Sequence, residues 1–149
     1  MRLSSKGWNN VLIFGILTII FVFHFSQKLT LSAKIEQRSV ISNEFIIVEI
    51  KTPDFEIKRV GRSWKSEPDL GLSKNQLALL VQNWQQLKLE TQSTVTTKQP
   101  PYLIYIYSAN QAQPTIVQLF QQGDNYSLQL DSTISLFLSA EQLPLLLGR

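Results

Sequence analysis

The sequence predicts an α+β protein in which an N-terminal transmembrane helix is followed by a small antiparallel sheet with one principal packed helix. Three observations predict it. A charge-free apolar run occupies Val11 to Phe23. A single strong helical pattern begins at Ser73. The last third is a series of short alternating runs divided by turn residues, the signature of sheet layered with helix.

The chain has 149 residues, room for one domain of ordinary size once a membrane segment is subtracted. With 44% hydrophobic and 17% charged residues it can bury enough apolar surface to offset the entropy of ordering. The 14 basic and 11 acidic residues are spread from Arg2 to Arg149, so the net charge of +3 leaves no nucleic-acid footprint. Having no cysteine, the chain forms no disulfide, thiol nucleophile or cysteine-ligated metal site, and either redox compartment is compatible with it.

Within Val11–Phe23 only Gly15 and Thr18 interrupt the apolar side chains. Thirteen helical residues rise about 20 Å. Counting the flanks from Trp8 to Ser26 brings the segment to roughly the 17–20 residues that a bilayer core requires. Residues 8–26 are therefore expected to be a signal anchor that contacts the lipid bilayer, with 1–7 as a short cytoplasmic tail. Arg2 and Lys6 precede the run, Lys28 follows it, and Trp8 stands where an aromatic ring would meet headgroups. A cleaved secretory signal has the same grammar. However, Phe23-His24-Phe25-Ser26-Gln27-Lys28 offers no small-residue cleavage pattern, and the best site, Thr30-Leu31-Ser32, lies beyond a lysine. The basic count after the span (Lys28, Lys34, Arg38) decides little, and the acid-free tail points to the cytoplasm. The expectation is a single-pass protein of a bacterial inner membrane with its C-terminal domain in the periplasm.

Residues 27–43 are mixed and polar and read as a tether into which the helix can first continue, leaving 44–149 as the soluble domain. Glu44–Ile50 is dense in β-branched residues, and Asp54–Val60 alternates around Phe55, Ile57 and Val60, so both predict strands joined through Thr52-Pro53. A turn at Gly61 leads into Ser63-Trp64-Lys65, which predicts a hairpin with the preceding strand. Ser73-Lys74-Asn75-Gln76 fits a capping box, with Leu72 and Leu77 as its hydrophobic staple. Leu77, Leu80, Val81, Trp84 and Leu87 then recur at helical spacing, which makes Trp84 a core residue. The threonine-rich run from Glu90 to Thr97 reads as strand or loop, ended by Pro100-Pro101. Tyr102–Ser108, Thr115–Gln121, Asn125–Asp131 and Thr133–Ser139 read as a meander. Ala140–Leu147 is expected to be a short terminal helix or edge segment that docks its leucines on the sheet.

The run Phe55 to Leu89, with a strand, a turn, Trp64-Lys65, Pro68 and a Leu- and Trp-rich helix, resembles half of a bacterial envelope domain of unknown function. In that family a Trp-containing hairpin precedes a helix and a sheet, usually in longer membrane-anchored proteins tied to transport or surface machinery. The resemblance implies location and architecture, and it brings no catalytic motif.

Chemistry-bearing residues are sparse. His24 is the only histidine and reads as an interfacial residue at a helix end; without a cysteine or second histidine it points to neither a transition-metal site nor a His-dependent nucleophile. Two carboxylate pairs, Asp54 with Glu56 and Glu67 with Asp69, are the remaining candidates for acid–base work. The first is interleaved with Lys58 and Arg59 and reads as a solvated face; the second flanks Pro68 in a loop. Gly61, Gly71 and Gly123 are isolated turn glycines rather than a phosphate loop. No catalytic, cofactor or metal residue is therefore assigned, and no cofactor is expected.

The strand Tyr102–Ser108 carries Ile104 and Ile106 on one face and Leu103, Tyr105 and Tyr107 on the other. Burial on both sides would explain it. Otherwise Leu103, Tyr105 and Tyr107 form a patch for an envelope protein partner. The expectation that follows is a non-enzymatic anchored interaction domain; the alternative is a ligand-binding or inhibitor module, anchored or secreted, with a pocket between the sheet and the Trp84 helix.

Overall fold

A computed structural model describes residues 5–32 and 36–148, in two units. Arg2 and Lys34 lie outside the described residues, as do the side chains of Lys6 and Lys28.

The first unit is one helix, α1 (Ser5–Ser32). Its segment Gly7–Phe25 is long and apolar enough to cross a membrane or to be a signal sequence. The side chains from Trp8 to Phe25 are exposed. The one hydroxyl in the apolar centre, on Thr18, donates to the Phe14 carbonyl at 2.8 Å, so it presents no unpaired donor to an apolar medium. Phe21 and Phe25, one turn apart, stack with ring centroids 6.1 Å apart.

The second unit is mostly sheet. Its strands are β1 (Gln37–Ser39), β2 (Ile47–Lys51), β3 (Glu56–Val60), β4 (Ser63–Glu67), β5 (Lys88–Gln92), β6 (Tyr102–Ser108), β7 (Thr115–Gln122), β8 (Asn125–Gln129) and β9 (Ser135–Leu138). Two helices join them, α2 (Lys74–Gln86) and α3 (Leu143–Leu147). Among the described residues the strands form one open antiparallel sheet of nine, in the order β1-β5-β9-β8-β7-β6-β2-β3-β4. The architecture is α+β in plan but dominated by sheet, and the sheet is larger than the sequence suggested. β4 and β1 stand at opposite ends of the order, yet both contact α2. The sheet therefore curls around that helix, using the twist that antiparallel sheets carry.

The start of α2 follows its local sequence. Ser73 Oγ accepts from the Gln76 amide at 3.2 Å, and Gln76 Oε1 accepts from the Ser73 amide at 2.8 Å, which closes the capping box. Leu77, Leu80, Val81 and Trp84 are its buried face. They join Ile50, Ile57, Ile104, Ile106, Val117, Leu128, Leu136 and Leu138 in one core. α3 begins with Pro144 in its first turn and ends at Gly148, whose φ of 74° suits a left-handed C-cap. A Cβ on Gly148 would come within 2.9 Å of Leu80 Cδ1, so space as well as conformation selects glycine there. Leu146 and Leu147 are buried but Leu145 is exposed, and α3 packs chiefly against α2, so the terminal leucines dock only in part and more on the helix than on the sheet.

Within residues 27–43, α1 continues to Ser32, and Gln37–Ser39 then pair with β5 while Val40 and Ile41 enter the core, so the end of this segment packs as well as connects. The amide of Ile41 donates to the Trp84 carbonyl at 3.0 Å at the end of α2, where the last carbonyls have no helical partner. The threonine-rich run is strand only at its beginning, because the pairing of β5 with β9 ends at Gln92.

Candidate functional site

β6 lies near the middle of the sheet, with β2 on one side and β7 on the other. Because side chains alternate along a strand, its two faces separate cleanly. Ile104 and Ile106 are fully buried in the core, whereas Leu103, Tyr105 and Tyr107 point to the other face and are half-buried. None of these three belongs to the core cluster.

The register sets their neighbours. Tyr107 is opposite Glu49 and Tyr105 is opposite Lys51 on β2. On β7, Tyr105 faces the exposed Ile116 and Leu103 faces Gln118. The result is an aromatic and aliphatic strip along the outer face. On the β2 side it is bordered by an ion ladder: Lys51 reaches Glu56 at 3.9 Å, Lys58 reaches Glu49 at 3.8 Å, and Lys58 also pairs directly with Glu56. The hydrogen bond from Lys58 holds the Glu56 carboxyl below its usual range and raises Lys58 above its own. On the far side, towards β8 and β9, the outer face closes. There Ser127 and Ser135 are buried with their hydroxyls 2.8 Å apart, and Gln92 Nε2 donates to Ser127 Oγ at 2.8 Å. The half-exposed tyrosines thus occupy a bounded strip.

The two carboxylate pairs are not held together as pairs. Asp54 Oδ2 accepts from the Tyr102 hydroxyl at 2.8 Å, while Glu56 belongs to the ion ladder. Asp69 Oδ1 accepts from the Gly71 amide at 2.9 Å and so shapes its own turn. Glu67 instead stands directly across from Glu56 on the β3–β4 ladder, a juxtaposition the sequence reading did not make. Lys58 is the shared neighbour that offsets this repulsion, since both acids favour its charged form. His24 is an exposed residue of α1. Among the described residues no group of three or more His, Asp or Glu side chains could hold a metal ion.

Trp84 is fully buried, and its indole N–H donates to the Leu146 carbonyl at 3.1 Å, so the space under α2 is filled by core. Open grooves lie elsewhere. One of about 320 Å³ is lined by Tyr102, Leu119, Tyr126, Leu143 and Leu147 together with Gln99, Pro100 and Gln121. Another of about 330 Å³ lies between the 43–47 segment, the β3–β4 hairpin and α2. The hairpin residues on it, Arg59 and Trp64, are cross-strand partners. A hairpin turning at Gly61 implies that pairing, so this was legible in the sequence.

No protein family, curated protein or solved structure matches the chain, so the functional reading rests on its own residues.

Proposed function

We propose that the chain is a non-enzymatic single-span envelope protein that presents its sheet domain beside the inner membrane as an accessory subunit of an assembly. Residues 8–26 contact the bilayer, the C-terminal domain lies in the periplasm, and Leu103, Tyr105 and Tyr107 bind a protein partner. The observation that carries this reading is the strip on β6: three large side chains left half-buried on a face opposite a closed core. Tyrosine offers apolar area with a hydrogen-bonding tip at low entropic cost, which favours it at protein interfaces. The flanking ladder of Lys51, Glu56, Lys58 and Glu49 supplies a polar rim of balanced charge. The anchor reading is supported by the length and apolarity of Gly7–Phe25, and the orientation by the acid-free tail before it.

A second reading, a ligand-binding or inhibitor module anchored or freed by cleavage, is favoured by the two open grooves. The pocket it needs is not beneath Trp84, which is core.

Phosphatase fusions after Arg149, with membrane fractionation and the mass of the mature chain, test location. The anchored reading expects an uncut membrane-bound chain with an active external fusion. A shortened soluble chain would favour the second reading, and a cytoplasmic C-terminus would sink both. Cross-linking from the outer face then tests the strip. Tyr105→Ala with Tyr107→Ala should abolish capture, each ring contributing about 2 kcal/mol or more of binding if it acts as an interface anchor. The fold should persist, since neither ring is in the core.

A further inference from the structure

The groove at the β3–β4 hairpin has a chemistry that the outer strip lacks. Its lining is mixed: Phe45, Ile47, Ala78 and Val81 contribute apolar surface, while Asn43, Gln82 and Gln85 contribute amides. Among the described residues that line it, Arg59 alone is charged. Arg59 is exposed and makes no ion pair with any carboxylate among the described residues, so its guanidinium is available to a ligand. Trp64, directly across the hairpin from Arg59, supplies a half-buried ring beside that cation.

The 43–47 side of the groove is held in place. Gln85 Nε2 donates to the Phe45 carbonyl at 2.5 Å and to the Ser42 carbonyl at 3.3 Å, tying the 43–47 segment to α2. Asn110 reinforces the same segment: its Nδ2 donates to the Glu44 carbonyl at 2.8 Å, and its Oδ1 accepts from the Ile46 amide at 3.1 Å. The groove is therefore preformed, which lowers the ordering cost of binding. Asn43 and Gln82 are further amides on the lining that can meet ligand oxygens. The volume of about 330 Å³ admits a body the size of one aromatic amino acid.

We infer that this groove binds a carboxylate carried on an apolar or aromatic body, with Arg59 on the carboxylate and the body lying between Trp64 and the Ala78–Val81 face of α2. A planar guanidinium matches a carboxylate in a forked, two-bond geometry, and the Trp64 ring beside it offers a surface for an apolar or aromatic body. Such a group occurs on a free small acid and at the C-terminal residue of a polypeptide. The inference uses no residue of the outer strip, and each can fail without the other.

Calorimetric titration of the full chain in detergent micelles tests it. The probes are N-acetyl-phenylalanine, a pentapeptide ending in phenylalanine, and the C-terminal amide of each. Saturable binding of a carboxylate form, with its amide at least about tenfold weaker, is expected from the loss of a charge-assisted pair. Arg59→Gln should weaken the carboxylate form by a similar factor, while Arg62→Gln in the adjacent turn should not. Tighter binding of the peptide than of the small acid would assign a polypeptide terminus, and equal binding would assign the free acid. No saturable binding of either carboxylate, equal binding of the amides, or equal losses in Arg59→Gln and Arg62→Gln would overturn the inference.

Discussion

The two faces of β6 are separated by the thickness of one strand, yet they obey different physics. On the inner face, Ile104 and Ile106 at 0% exposure meet a core that α2 closes, and Trp84 at 0% exposure plugs the same layer. On the outer face, Tyr105 and Tyr107 keep part of each ring in water beside charges from β2 and β3. Burial is thus complete on the inner face of β6 and partial on its outer face. The sharpest way to break that contrast is Trp84→Ala. It deletes a fully buried ring and leaves the Leu146 carbonyl without its indole donor. The expected loss is about 3–5 kcal/mol, a large share of the roughly 5–15 kcal/mol that holds a domain of this size. Chemical denaturation should show it as a lower midpoint. A loss below about 1 kcal/mol would mean that the inner face is not the main store of stability.

The parts of this contrast that were legible in the sequence are local ones. Alternation along Tyr102–Ser108 has a period of two, so the split between isoleucines and tyrosines needed no partner strand to be seen. The capping box at Ser73 and Gln76 is likewise contained within four residues. What the sequence withheld was set by distant pairing. Gln-Arg-Ser of β1 has no apolar rhythm and is a strand only because β5 lies alongside it. The size of the sheet followed from that same blind spot, as did the packing of Val40 and Ile41. In the outer strip the tyrosines were visible, but Glu49, Lys51 and Ile116 beside them were not, because the register brings them there from other strands. Arg59 and Trp64 are the exception, being paired across a short hairpin that the turn at Gly61 specifies.

A smaller effect should mark the outer face as electrostatic. The Glu56 carboxyl is held below its ordinary value chiefly by the Lys58 hydrogen bond, so its contribution to stability is complete above the unfolded carboxylate range. That contribution fades as pH falls through the lower folded value. Lys58, raised chiefly by Glu56, contributes below the unfolded lysine range and loses its contribution as pH rises through the higher folded value. The stability gap between the wild type and Glu56→Gln should therefore be widest near neutrality and narrow at both extremes. Because the residues are partly exposed, high salt should also narrow it. A gap constant across pH, measured by denaturation at several buffers, would show that Glu56 acts through packing rather than charge.

The smallest expected effect tests how dry the inner face is. Ser108 follows Ile104 and Ile106 on that face and is 7% exposed, and its hydroxyl has no hydrogen-bond partner among the described residues. A buried hydroxyl that gives up water without gaining a partner is destabilising. Ser108→Ala removes only that oxygen, and any space it leaves is small. The variant should match the wild type or exceed it by up to about 1 kcal/mol, in contrast to the loss usual for a buried substitution. A loss of about 1 kcal/mol or more would mean that the hydroxyl finds a partner in solution, a bound water being the simplest. The end of β6 would then be wet on both faces, and the contrast between them would be confined to Ile104 and Ile106.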